Sequence, residues 1–234
     1  MKLIIDDADV SAIRHLVEYY PVDGVTTNPS ILAKSGRQPF EVLREIRDII
    51  GPDMELHAQV VARDAEGMVA DGRRIVAELG ENTFPKVPSV PEGFKAMRQL
   101  VAEGIKVTAT AIYTPMQAFL AAKSGASYAA PYINRIDNMG FDGVGVAMEI
   151  HDIFQANNLP CEVLAASFKN SQQILELARY GVGAVTAAVL LDRSGFDGLR
   201  RSIIYAKAVK DENGCAQLYR YASDQSGSFA SLDG

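Results

Sequence analysis

The feature that most constrains this chain is a regular alternation. Short β-branched runs, each closed by a polar residue, Gly or Pro, are followed by longer segments with helical periodicity. The runs are Lys2–Asp6, Gly24–Asn28, Met54–Val61, Thr83–Pro88, Ile105–Tyr113, Tyr128–Ile133, Cys161–Ser167 and Gly183–Ala188. The intervening segments are Ala8–Tyr19, Phe40–Ile50, Ala65–Leu79, Gly93–Glu103, Pro115–Ser124, Val144–Asn157 and Ser171–Tyr180, with Phe196–Lys210 after the last run. Val10, Ile13 and Val17 line one face of the first of them, and Val42, Leu43, Ile46 and Ile50 one face of the second. Thr114-Pro115 and Asn170-Ser171 read as helix starts, and Gly80, Gly104 and Gly181 as stops.

Eight βα units of roughly 25–30 residues each are the repeat of a (β/α)8 barrel. The fold class expected is therefore α/β, a single TIM barrel with a C-terminal helical extension. A doubly wound open sheet is the rival, but no G-x-G-x-x-G follows the first run. Residues 1–220 read as one catalytic domain. The small and polar end, residues 221–234, reads as a flexible tail.

Composition narrows the function classes. Hydrophobic residues make up 48% of the chain, enough for a sizeable core, and the net charge of −6 is dispersed along the sequence. Dispersed acidity argues against nucleic acid as a partner, because phosphate backbones require clustered Lys and Arg. No run approaches the ~18 apolar residues of a membrane span, and MKLIIDDADV is too soon interrupted by acids to be a signal peptide. Cys161 and Cys215 are the only cysteines and have no metal or disulfide spacing, which fits a cytoplasmic setting.

In a barrel of this kind chemistry sits where strands end. Asp6 ends the first run, Thr26, Thr27 and Asn28 the second; Gln59, Lys86 and Thr110 lie on the third, fourth and fifth. Tyr132 and Arg135 follow the sixth, Ser167 and Lys169 the seventh. Lys86, within Phe84-Pro85-Lys86-Val87-Pro88, is the centre of the set. A lysine pointing into a barrel is desolvated, its ammonium disfavoured, and a neutral amine attacks a ketone to form an iminium. The alternative is a lysine reaching solvent from a strand end. Asp6 is placed for acid/base work or for capping a helix, and Gln59 and Thr110 for holding a water or for satisfying core polar groups. Asn28, before Pro29, either binds a sugar hydroxyl or caps the turn. Arg135, Ser167 and Lys169 make a phosphate grip, unless Asp137 simply pairs with Arg135. His57 shares a strand face with Gln59 and either lines the pocket or is a core histidine. With only His15, His57 and His151 in the chain, no catalytic metal site and no cofactor are expected.

The stretches DGVTTNPSIL, HAQVVARDAEGM, KVPSVPEG, TATAIYTPMQA, APYINRID and LAASFKN resemble the family of small transaldolases and fructose-6-phosphate aldolases, in one register from Asp6 to Thr186. The resemblance implies a Schiff base on Lys86 and contacts from Asp6 and Asn28 to the donor hydroxyls. It implies a catalytic water held by Gln59, Thr110 and Tyr132, with Tyr132 the proton donor and acceptor. The acceptor phosphate falls to Arg135, Ser167 and Lys169. In the transaldolase branch a phenylalanine is expected where this chain has Tyr132; a phenol there protonates the enamine and frees dihydroxyacetone. The implied partners are a small sugar phosphate and further copies of the chain, as a pentamer or decamer. Pro85, His57 and the segment after Thr186 depart from the family pattern. Pro85 also removes a ladder donor from a central strand. A non-covalent sugar-phosphate isomerase and a binding protein are the rivals from other classes.

Overall fold

The computed structural model describes residues 1–188 and, beyond them, four short strands. The first eight strands, β1 (Lys2–Asp6), β2 (Gly24–Thr26), β3 (Glu55–Gln59), β4 (Thr83–Pro88), β5 (Thr108–Ile112), β6 (Tyr128–Pro131), β7 (Glu162–Ala165) and β8 (Ala184–Ala187), form a closed barrel in sequence order. Every neighbouring pair is parallel, and β1 closes on β8 through Lys2↔Ala184 to Ile5↔Ala187. The expected TIM barrel is the fold observed.

Around it run α1 (Val10–Tyr19), α2 (Pro29–Lys34), α3 (Pro39–Ile50), α4 (Ala65–Leu79), α5 (Pro91–Ala102), α6 (Pro115–Lys123), α7 (Ile133–Asn138), α8 (Gly143–Ala156) and α9 (Ser171–Tyr180). Side chains of Asp9, Asn28, Asp64, Thr114, Asp142 and Asn170 accept backbone N–H groups at helix starts. The short helices α2 and α7 were not expected. Six residues of helix inside a loop carry too little periodicity to be read from sequence.

Strand alternation sorts the apolar residues into two layers. Val25, Leu56, Val87, Ala109, Val163 and Val185 are buried under the helices with Ile13, Ile46, Ile75, Met97, Leu100, Ile150 and Phe154. Ile4, Phe84, Tyr128, Ala130, Leu164 and Ala184 meet inside the barrel. Pro85 is accommodated simply. Pairing between β4 and β5 begins at Lys86↔Thr108, one residue later, so the missing donor falls before that ladder starts. Gly93, in the first turn of α5, lies against the end of β4; a Cβ there would sit 1.9 Å from the Pro88 carbonyl oxygen.

A polar network fills the end of the barrel away from the strand C-termini. Lys2 Nζ donates to Glu55 Oε1 and to the Tyr128 hydroxyl, each at 2.6 Å, and that hydroxyl donates to Glu55 Oε1 at 3.0 Å. His57 is fully buried, stacked on Phe84, 2.8 Å from Thr108 Oγ1 through Nδ1 and 3.4 Å from Glu55 Oε2 through Nε2. Burial lowers the imidazole pKa, so the neutral ring accepts from Thr108 and donates toward Glu55. His57 is thus a satisfied core histidine.

The chain divides into two compact units, Met1–Ala188 and Val189–Gly234. In the second, Lys207–Lys210 pairs antiparallel with Ala216–Tyr219, and Tyr221–Ser223 with Phe229–Ser231. Most of the expected helix Phe196–Lys210 lies outside the described residues, but its last four residues are strand. The sequence between the first pair contains Asn213-Gly214, a hairpin dipeptide that helical periodicity obscures. Of the expected tail, residues 221–234, the structure describes Tyr221–Ser223 and Phe229–Ser231, and the rest lies outside the described residues.

Burial alone would raise the Glu55 carboxyl, but hydrogen bonds from His57 and Lys2 outweigh it and hold it at about 2. The folded-state value lies below the unfolded one of 4.5, so this stabilisation is full above pH 4.5 and fades as pH falls toward 2. Glu55→Gln is expected to cost on the order of 3 kcal/mol at neutral pH. In urea unfolding the variant should also lose stability less steeply than wild type between pH 5 and 2.

Candidate active site

At the other end of the barrel the inward positions turn polar again. Two residues beyond Ile4 is Asp6, beyond Phe84 is Lys86, and beyond Ala184 is Thr186, so the period of two delivers all three to the same rim. Lys86 is buried, with 6% of its surface exposed, and Nζ donates to the Thr27 carbonyl at 2.9 Å. Desolvation lowers its pKa, and the negative charge of Asp6 opposes that only in part. The lysine does not reach solvent.

Asp6 is shifted the other way. Burial raises its carboxyl, against the lowering effects of the Lys86 charge and of a hydrogen bond from Thr26. Thr26 Oγ1 donates to Asp6 Oδ1 at 2.9 Å and lies 2.7 Å from Thr186 Oγ1. Since Thr26 has one hydroxyl hydrogen and spends it on Asp6, Thr186 must be the donor between the two threonines. Asp6 caps no helix: Asp9 caps α1, and Asp7 accepts from the Ala8 and Asp9 N–H groups. Burial favours a neutral amine beside a carboxyl that holds its proton more readily than usual.

Opposite them stands Tyr132, half-buried just past β6. Its hydroxyl shares a hydrogen bond of 2.9 Å with Thr110 Oγ1. The Arg135 guanidinium lies 4.4 Å over its ring, and the Tyr113 ring meets it edge-on at 5.5 Å. Asp137 is not the partner of Arg135; it accepts instead from the Gly143 N–H and from Gln173 Nε2. Gln59 pairs in register with Lys86 across β3 and β4, on the inward face of the barrel.

The other expected residues are less tightly gathered. Asn28 is occupied by capping, its Oδ1 accepting from the Ile31 N–H at 3.0 Å. Ser167 is joined to the start of α7 through its carbonyl, which accepts from the Asn134 N–H at 2.7 Å. That bond brings the end of β7 to the helix carrying Arg135. Lys169 is exposed at the entry to α9, its N–H donating to Gln173 Oε1. Thr186 and Tyr113 were missed. Thr186 had a readable signal, the alternate position of the eighth strand; Tyr113 is outward by simple alternation and owes its place to a bulge. Among the described residues no group of three His, Cys, Asp or Glu side chains is arranged to hold a metal, and no helix is long and apolar enough to cross a membrane.

A closed parallel barrel with a desolvated lysine and a carboxyl at the C-terminal rim is the frame of an aldolase-type enzyme. Residues 3–193 match the transaldolase/fructose-6-phosphate aldolase family, and the chain belongs to that family. A probable transaldolase of Geotalea daltonii is 43% identical over 186 residues, covering 80% of this chain and 86% of that protein. One from Methanococcus maripaludis strain C5 is 42% identical and one from Aquifex aeolicus 40%, each over 80% of this chain and over 85% and 84% of their own lengths. A solved structure described as native KDPGal superposes with a TM-score of 0.59 at 17% identity, over 86% of this chain and 89% of that one, a likeness of fold.

The Asp6–Thr26–Thr186 chain gives a direct expectation. Thr26→Val removes the hydrogen bond that lowers the Asp6 pKa, so Asp6 should titrate at higher pH than in wild type. Carboxyl-carbon NMR titration of the free enzyme checks the direction, and an unmoved Asp6 resonance would contradict the assignment.

Proposed function

We propose that this chain is a Schiff-base aldolase that reversibly cleaves a ketose phosphate to dihydroxyacetone and an aldehyde phosphate such as glyceraldehyde 3-phosphate. The observation that carries the reading is the desolvated Lys86 amine, aimed into the barrel and flanked by Asp6. A neutral amine adds to the ketone carbon, and Asp6 donates the proton with which the carbinolamine loses water. The resulting iminium accepts the electron pair when the adjacent carbon–carbon bond breaks and the hydroxyl proton is removed, freeing the aldehyde. The enamine left on Lys86 is then protonated at carbon, and water hydrolyses the iminium to restore the amine.

Gln59, Thr110 and Tyr132 hold that water in this reading, and Asn28 and Thr26 border the donor hydroxyls. Arg135, Ser167 and Lys169 take the acceptor phosphate. No cofactor or metal takes part. The chain works as a homo-oligomer, a point that rests on the family resemblance, and in the cytoplasm, the setting that two cysteines without metal or disulfide spacing fit.

A transaldolase is the second reading, favoured by the names of the curated relatives. What separates the two is the fate of the enamine, and Tyr132 bears on it directly. Its phenol shares a hydrogen bond with Thr110, and in the aldolase reading it protonates the enamine and releases dihydroxyacetone rather than leaving it to await a second aldehyde. With fructose 6-phosphate as substrate, wild type should release free dihydroxyacetone. Tyr132→Phe should cut that release by about 10²-fold, the scale of a lost acid/base group, while transfer to an added aldehyde gains relative to release. A wild type that transfers but never releases would make the transaldolase reading correct.

A further inference from the structure

We propose that Tyr113 is a positioning residue that holds Arg135 against the face of Tyr132, and so sets the preference for an anionic acceptor aldehyde over a neutral one. The inference rests on the aldolase reading above and extends it to a residue that strand alternation would have turned away from the site.

It begins with an irregularity in β5. Pairing between β5 and β6 steps from Ala109↔Ala129 to Ile112↔Pro131, three residues against two, so β5 carries one extra residue. Ala111 sits in that step at φ 57°, in the left-handed region that a Cβ disfavours. Bulges and left-handed non-glycine residues persist where the surroundings impose them, and they gather beside functional sites.

The consequence is visible at Tyr132. In an unbroken strand residues 110 and 113 would face opposite sides. Here both reach the same side chain, Thr110 through the 2.9 Å hydroxyl bond and Tyr113 through the edge of its ring, at 83° between ring planes. Arg135 closes the group. Its guanidinium lies over the Tyr132 ring and its Nη1 reaches the Tyr113 hydroxyl at 3.5 Å, the long limit of such a bond. Tyr113 is itself anchored by Gln117, whose Oε1 accepts from the Tyr113 N–H at 3.0 Å and whose Nε2 donates to the Ser89 carbonyl at 3.3 Å. Ser89 follows β4, so one glutamine ties the loop beyond Lys86 to the loop that carries Tyr113.

An arginine in solvent samples many rotamers, and ordering it around a phosphate costs binding free energy. Arg135 is exposed, yet ring face and hydroxyl together restrict it before any ligand arrives. The planar fork, held in this way, favours a phosphorylated aldehyde. A neutral aldehyde makes no use of it.

The test is Tyr113→Phe, which keeps the ring contact and removes the hydroxyl. With dihydroxyacetone as donor, the KM for glyceraldehyde 3-phosphate should rise about three- to tenfold, the scale of one ordinary hydrogen bond, because the contact is long and exposed, with kcat little changed. The KM for unphosphorylated glyceraldehyde should stay at the wild-type value. In an Arg135→Ala background the same change should add nothing, because the two residues act through one contact. Equal behaviour of both acceptors in Y113F, a parallel loss for both, or additive losses in the double variant would each overturn the inference. A wild type that forms no carbon–carbon bond from dihydroxyacetone would instead remove the aldolase reading beneath it.

Discussion

A primary amine enclosed in a barrel has little water to stabilise its ammonium form, and Lys86 is held in that situation by the fold itself. Parallel closure fixes which side of β4 faces inward, and alternation then puts Phe84 and Lys86 one above the other on that side. Phe84 is part of the apolar plug; Lys86 sits on top of it, with the Thr27 carbonyl as its hydrogen-bond acceptor. Desolvation of the amine follows from the plug below and the strands on either side. The nearby carboxyl of Asp6 restrains that effect without reversing it.

The barrel interior therefore has three levels with different physical roles. At the closed end, Lys2, Glu55, Tyr128 and His57 satisfy one another, and burial of these polar groups is tolerable because each has a partner. Apolar residues fill the middle. At the rim, Asp6, Thr26 and Thr186 form one chain and Thr110, Tyr132 and Arg135 another, on opposite sides of Lys86 in strand order. Individual strands carry residues of more than one level: β1 contributes Lys2, Ile4 and Asp6 to the three in turn, and β3 contributes Glu55 and His57 to the closed end and Gln59 to the rim.

The barrel was legible from sequence because its repeat is regular, and so were the rim residues that obey a period of two. Asp6, Thr26, Gln59, Lys86 and Thr110 fall where strand ends placed them. What alternation could not convey was three-dimensional pairing. Nothing in the sequence tells that Asp137 leaves Arg135 for Gly143 and Gln173, or that Asp9 rather than Asp6 caps α1. His57 read ambiguously because its partners, Glu55 and Thr108, lie on its own strand and on one two places away around the barrel. Tyr113 was hidden for a sharper reason, since the bulge at Ala111 reverses the parity on which the reading depended. The short helices α2 and α7 escaped because a single turn or two has no measurable period.

The central claim is that Lys86 forms a covalent iminium with its substrate. It is tested most directly by reducing the enzyme with borohydride in the presence of dihydroxyacetone and locating the adduct by peptide mass spectrometry. The account requires a reduced three-carbon adduct on Lys86, absent when dihydroxyacetone is omitted. Folded protein that yields no adduct on any lysine, or one on a lysine other than Lys86, would contradict it.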